Sequence, residues 1–165
     1  MEDRVRAIRA LFNNAKDLKG VIGKYIEEHD SMKKDIERYI AEAVDATRKK
    51  LVDNARVVGG VKVVSAVLPM KAAAVKDLVF RIRQDFPQNL LCVIGSVDDG
   101  KPMLSVMLSD DMVSEHKLNA GQMVREAARL INGGGGGQPH FATAGGKNAD
   151  MLSAAVDKVI EFAAL

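Results

Sequence analysis

Near Asn54 the spacing of apolar residues changes, and this change divides the chain more sharply than any other feature. Upstream, from Glu2, there is no proline and no β-branched run. Apolar or small residues recur at Ile8, Leu11, Ala15, Leu18, Ile22, Tyr25, His29, Met32, Ile36, Tyr39, Ala43 and Ala46. Steps alternating between three and four residues make a helical seam of heptad type. Asn13 and Asn14 suit a helix start better than a helix middle, and Asp17 stands three residues after Asn14. The pattern therefore predicts a short helix ending near Phe12 and a long one starting near Ala15. Charges such as Glu27, Glu28, Lys33, Lys34 and Arg38 occupy its other faces, so the seam calls for a partner. Either the following domain or a second copy of the chain meets that need.

Downstream the period shortens. "ARVVGGVKVVSAVLP" predicts two strands about a Gly59-Gly60 turn, ended by Pro69. "KAAAVKDLVFRIRQDF" predicts an amphipathic helix stopped by Pro87. "NLLCVIGSVDDGKPMLSVMLS" reads as a hairpin turning at Asp99-Gly100. Its first strand is apolar almost throughout and so belongs in the middle of a sheet, covered on both faces. A short helix over Asp111 to His116, a helix capped near Asn119 and a final helix from Asn148 complete the series. The expected order is a long helix followed by ββαββααα. This is an α/β (α+β) chain: a small mixed β-sheet flanked by helices, preceded by a long helical arm. Residues 1–55 form the arm and 56–165 the globular domain.

The core must be aliphatic, because the chain has no Trp, five Phe and two Tyr against 47% hydrophobic residues. The net charge is +2, with twelve basic and eleven acidic residues on each side of Ala55. Neither part is a basic domain, so contact with a polyanion must use a local patch. Cys92, the one cysteine, reads as a buried thiol in a strand. One Cys and three scattered His (His29, His116, His140) cannot assemble a zinc site. No leader or long apolar run is present, which points to a cytoplasmic chain with no membrane partner.

Between two predicted helices lies "INGGGGGQPHFATAGGKN", residues 131–148. Glycine loses more conformational freedom on folding than any other residue, so seven of them here need a reason. A flexible linker has no use for the Phe141, Ala142 and Ala144 that follow at once. Close approach of a ligand to bare backbone fits better, with the N-terminus of the last helix available to an anion. A mononucleotide site is disfavoured, since the run follows a helix and lacks a following Lys-Ser/Thr. From Lys117 to Lys147 there are four basic residues and one acidic, Glu126. Arg125 and Arg129 are four apart and share a helix face. Folded RNA meeting the loop beside these cations is the coherent reading. Candidate RNA-binding residues are Gly133, Gly134, Gly135, Gly136, Gly137, Gln138, His140, Gly145, Gly146, Lys147, Arg125 and Arg129. Lys62 and Lys71 are weaker candidates, His29 reads as a packing residue of the seam, and Phe141 reads as core.

The segment "GGGGGQPHFATAGGKNADMLSAAVDKVIEF" resembles the end of alanyl-tRNA synthetases, where a glycine run, "A-x-A-G-G" and a final helix close the polypeptide. The resemblance extends upstream over the whole chain. The module is also similar to the DHH-associated domain of DHH-family phosphoesterases, which clasps single-stranded substrates or nucleotides. In those enzymes a His follows the glycines directly, whereas here Gln138 and Pro139 intervene before His140, which favours the synthetase. The synthetase pattern commonly carries Arg where Gln138 stands and Asp where His140 stands. The resemblance implies a non-catalytic C-terminal region that binds the outer corner of alanine tRNA and links aminoacylation to editing. It implies dimerisation through the arm, residues 15–50, and other domains of the same synthetase as partners. ATP, magnesium and zinc would belong to those other domains, with no cofactor in this one.

Overall fold

A computed structural model describes residues 2–165. The chain forms two compact units that divide between Ala41 and Glu42.

In the first unit, α1 (Glu2–Leu11) and the start of α2 (Leu18–Asp53) meet through a corner. Asn13 and Asn14 both take left-handed backbone, φ 53° and 56°, a conformation that Asn tolerates better than most residues. The cap of α2 is Asp17 rather than Asn14: its Oδ1 accepts the Gly20 N–H at 3.0 Å. A Cβ at Gly20 would lie 2.2 Å from the Asp17 carboxylate, so glycine here serves the cap. Phe12 meets Tyr25 edge to face, with centroids 5.4 Å apart.

The second unit is built on a six-stranded sheet, β1 (Arg56–Val58), β2 (Val61–Leu68), β3 (Leu90–Asp98), β4 (Lys101–Leu108), β5 (Gly134–Gly137) and β6 (Phe141–Gly145). Their spatial order is β1-β2-β3-β4-β6-β5. β2 and β3 run parallel, joined through α3 (Ala72–Asp85), and every other pair is antiparallel. β3 lies inside the sheet with seven consecutive buried residues, as its apolar run dictates. Its side chains alternate between two cores. Leu90, Cys92 and Ile94 join Val75, Leu78, Val79 and Ile82 of α3 on one face. Leu91 and Val93 join α5 (Ala120–Ala128) and α6 (Leu152–Phe162) on the other. Burial pushes the Cys92 thiol up to about 12.

The end of α2 uses a stripe beside the predicted seam. Val44 is the buried residue of this helix, while Ala43 and Ala46 are exposed. Arg48 fixes this end by bonding both carboxylate oxygens of Asp85 at 2.8 Å and Asp45 at 2.9 Å. α4 (Asp110–Ser114) follows β4. Its Asp111 Oδ2 accepts the backbone N–H of Asn89, which has φ 54°.

The glycine stretch departs from expectation. It is not a loop but an ordered strand, β5, paired with β6 at the sheet edge. The predicted order lacked both strands because glycine carries no strand signal of its own. The pairing is imposed by β6, which itself pairs with β4 from Met103 to Met107.

Candidate nucleic-acid interface

The chain enters this region through α5, whose Asn119 Oδ1 caps Gln122 N–H at 3.1 Å. A 3-10 turn over Arg129–Ile131 follows, and Asn132 ends it in left-handed backbone at φ 52°. The register of the glycine strand is then Gly134↔Gly145, Gly135↔Ala144, Gly136↔Thr143 and Gly137↔Ala142.

The glycines fall into two groups once a Cβ is placed on each. At Gly133 it would stand 1.9 Å from the Gly145 carbonyl oxygen, and at Gly135 2.1 Å from that of Thr143. At Gly137 it would meet the Phe141 carbonyl oxygen at 2.6 Å, and at Gly146 that of Ile131 at 2.4 Å. These four glycines are demanded by close backbone contact inside the fold. Gly134 and Gly145, directly opposite each other, would meet nothing within 4 Å. At Gly136 the nearest atom is the Arg125 guanidinium at 3.3 Å, the tip of a flexible side chain. None of these last three has the positive φ that favours glycine. The fold has room for side chains there, and the sequence supplies none.

Several main-chain donors expected to face an anion are already engaged. The N–H groups of Lys147 and Asn148 both donate to the Ile131 carbonyl, at 2.8 and 3.0 Å. Those of Gly133, Gln138 and Gly146 donate to Ala128, Phe141 and Pro102. Asn148 Oδ1 accepts the Asp150 N–H and caps the turn before α6. The anion nest at the last helix is therefore closed. What stays open is the outer edge of β5, the last strand in the sheet, where alternate backbone groups point away from β6.

The candidate cations separate. Arg125 lies against Gly136 with no carboxylate in ion-pair range among the described residues. Arg129 pairs with Glu126 at 3.2 Å on the surface, where its side chain stays 75% exposed. Lys147 is exposed and lines a cavity of about 470 Å³ with Gly133, Gly145 and Gly146. Lys101, Met103 and Asn132 line it too. Nothing in the sequence near the glycines announced Lys101; the β4–β6 pairing brings the hairpin end beneath them. Gln138 is exposed, and His140 is half-buried with its carbonyl accepting the Leu108 N–H. Lys62 lies elsewhere, over the Phe86 ring at 4.5 Å, while Lys71 immediately precedes α3. Phe141 is partly core, as expected, and meets Phe80 edge to face at 5.2 Å. His29 is exposed on α2, with Asp30 at 3.7 Å.

The DHHA1 domain pattern matches residues 60–165. The chain belongs to the DHHA1 domain family. Over all 165 residues it is 48% identical to the alanine–tRNA ligase of Bacteroides thetaiotaomicron, spanning 19% of that relative's length. The sequence resemblance to alanyl-tRNA synthetases thus holds along the full chain. Its structure is similar to the C-Ala domain of Aquifex aeolicus alanyl-tRNA synthetase, with TM-score 0.60 and 25% identity over 67% of this chain and 98% of that one. RecJ from Thermus thermophilus shares the fold, with TM-score 0.53 and 16% identity over 92% of this chain and 21% of that one. Among the described residues no cluster of three His, Cys, Asp or Glu side chains could hold a metal, and no helix is long and apolar enough to cross a membrane. Cys92 is buried in β3, and the three His stand on α2, after α4 and before β6. This donor set does not fit zinc.

Proposed function

We propose that this DHHA1 domain is the tRNA-contacting C-terminal region of a cytoplasmic alanine–tRNA ligase. The glycine strand and its cations meet the outer corner of the tRNA, where the D- and T-loops join, and so link aminoacylation to editing. The observation that carries this reading is the pair Gly134 and Gly145, bare where the fold does not require it. A missing side chain lets a bulky partner approach the backbone, and folded RNA is recognised by shape and by its sugar-phosphate surface. Arg125, Lys101 and Lys147, without carboxylate partners among the described residues, supply charge beside that surface. The arm supports a homodimer, because Tyr25, Met32, Ile36 and Tyr39 are each more than half exposed.

Competition binding tests the reading. A transcribed alanine tRNA is expected to displace labelled tRNA from the 165-residue chain far better than an unfolded RNA of equal length. Equal competition by the two RNAs, or no binding of either, overturns it.

A further inference from the structure

The arm says more about its partner than that its stripe is exposed. Within the first unit, Ile22, His29 and Ile36 take the a positions of the heptad, and Tyr25, Met32 and Tyr39 the d positions. The flanking positions follow. Val21, Glu28 and Asp35 stand at g, and Lys19, Ile26, Lys33 and Ile40 at e. Carboxylates are thus confined to one flank of the seam and ammonium groups to the other. Ile26 and Ile40, 57% and 45% exposed, widen the apolar face on the lysine side. The surface is also dented there. His29, Met32, Lys33 and Ile36, with Glu37 at the rim, line an opening of about 560 Å³. The first four are an a, a d, an e and the next a, the set that forms the hole for a d-position knob in parallel packing.

We propose that the occupant of this face is a second copy of the chain lying parallel and in register, with Met32 of each copy seated in that opening on the other. The proposal rests on the homodimer reading of the arm and fixes its geometry. Charge decides the direction. In a parallel pair each g position faces the next e position of the other helix, so Glu28 meets Lys33 and Val21 meets Ile26 on both sides of the seam. Lys33 has no carboxylate in ion-pair range among the described residues, and the contact of Glu28 with Lys24 is a loose one at 3.8 Å. Asp35 would face Ile40 and keeps its pair with Arg38 of its own helix at 3.1 Å. In an antiparallel pair g faces g and e faces e. Every stagger that keeps most of the stripe covered then sets the carboxylates of Glu28 and Asp35 against carboxylates of the second copy. His29 sets the register. A shift by one heptad would place its imidazole against Ile22 or Ile36, whereas in register it meets its own copy, and one polar a position is enough to hold a pair of helices in step.

Charge reversal in the 165-residue chain tests the direction, because the two geometries give opposite signs. Sedimentation equilibrium at low salt, where exposed charges are least screened, measures the dimer constant. Glu28→Lys alone and Lys33→Glu alone are each expected to weaken the dimer about tenfold, since both symmetry-related pairs turn repulsive. The double variant Glu28→Lys with Lys33→Glu is expected to regain the parent constant, and thermal midpoints show that all three fold. In an antiparallel pair Glu28→Lys would instead relieve repulsion and tighten the dimer. A covalent readout checks the register. Tyr39→Cys places two thiols in one layer of the parallel pair, so mild oxidation with diamide is expected to give a cross-linked dimer, with Cys92 buried and inert. In antiparallel pairing Tyr39 faces Ile22 or His29 of the second copy, at least about 15 Å along the helix from that copy's Tyr39, beyond the reach of a disulfide. A dimer that Glu28→Lys tightens, that the double variant fails to restore, or that Tyr39→Cys does not cross-link overturns the parallel register and leaves the homodimer standing. A monomer at every concentration removes the register together with the homodimer reading.

Discussion

At Gly135 an added methyl would stand 2.1 Å from the Thr143 carbonyl oxygen and 2.4 Å from Ala144 Cα, whereas one residue earlier, at Gly134, it would touch nothing within 4 Å. Two substitutions of identical chemistry should therefore diverge. Gly135→Ala forces backbone apart and is expected to cost about 1–3 kcal/mol, the usual range for overpacking. In a chain of this size each kcal/mol moves the thermal midpoint by about 2–4 °C. Gly134→Ala and Gly145→Ala sit in tolerant backbone and should leave the midpoint unchanged, or raise it through a gain of about 0.4–1 kcal/mol. If the surface meets RNA, these two variants should lose tRNA affinity while keeping stability. Thermal denaturation beside a tRNA titration separates fold from function at single residues. A Gly134→Ala protein with normal stability and normal affinity would show that the bare backbone there serves no ligand.

The elements differ in how plainly the sequence announced them. α3, the β3–β4 hairpin and α5 announced themselves: Pro69 and Pro87 bracket the first, Asp99-Gly100 turns the second, and Asn119 caps the third. β5 did not, because its strand character resides in the β6 backbone it pairs with. The site was legible in part for the same reason. Arg125 and Lys147 flank the glycines in sequence, but Lys101 reaches them only through pairing across about forty residues. Elements also carry the pH dependence. Burial pushes the Asp111 carboxyl up, but the Ser109 hydroxyl and the N–H groups of Asn89, Asp111 and Met112 outweigh this and hold it below the usual carboxylate value of 3.8. Because the folded value is depressed, its stabilisation is fully present above the unfolded value. That stabilisation is lost as pH falls through the folded one, below about 4. The Arg48 and Lys49 hydrogen bonds depress Asp45 and act in the same direction. Asp111→Ala should reduce the midpoint at pH 7 and flatten the drop that sets in as pH falls below about 4. A mutant whose acid limb stays parallel to that of the parent would exclude Asp111 as a source of the acid dependence.

Taken as a whole molecule, the chain is nearly neutral, so a long-range field cannot gather RNA and the salt dependence of binding must come from a few local cations. Arg129 shares an exposed pair with Glu126, so its replacement by Gln should change the slope of log K against log salt less than replacement of Arg125. Replacing Arg125, Lys101 and Lys147 together should flatten that slope by about two to three units. The arm poses the remaining whole-molecule question. Its apolar stripe is alternated too regularly for chance and yet stands in water, with Ile36 57% and Tyr39 61% exposed. A helix with such a stripe gains by covering it, and a second copy offers a matching one. The stripe is thin, with Ala43 and Ala46 at its end, so association should be weak. Sedimentation equilibrium over a concentration series is expected to show a reversible monomer–dimer mixture. Ile36→Glu, at an exposed position, should abolish the dimer without lowering the thermal midpoint of residues 42–165. Persistence of the dimer in that variant would mean that some other surface joins the copies.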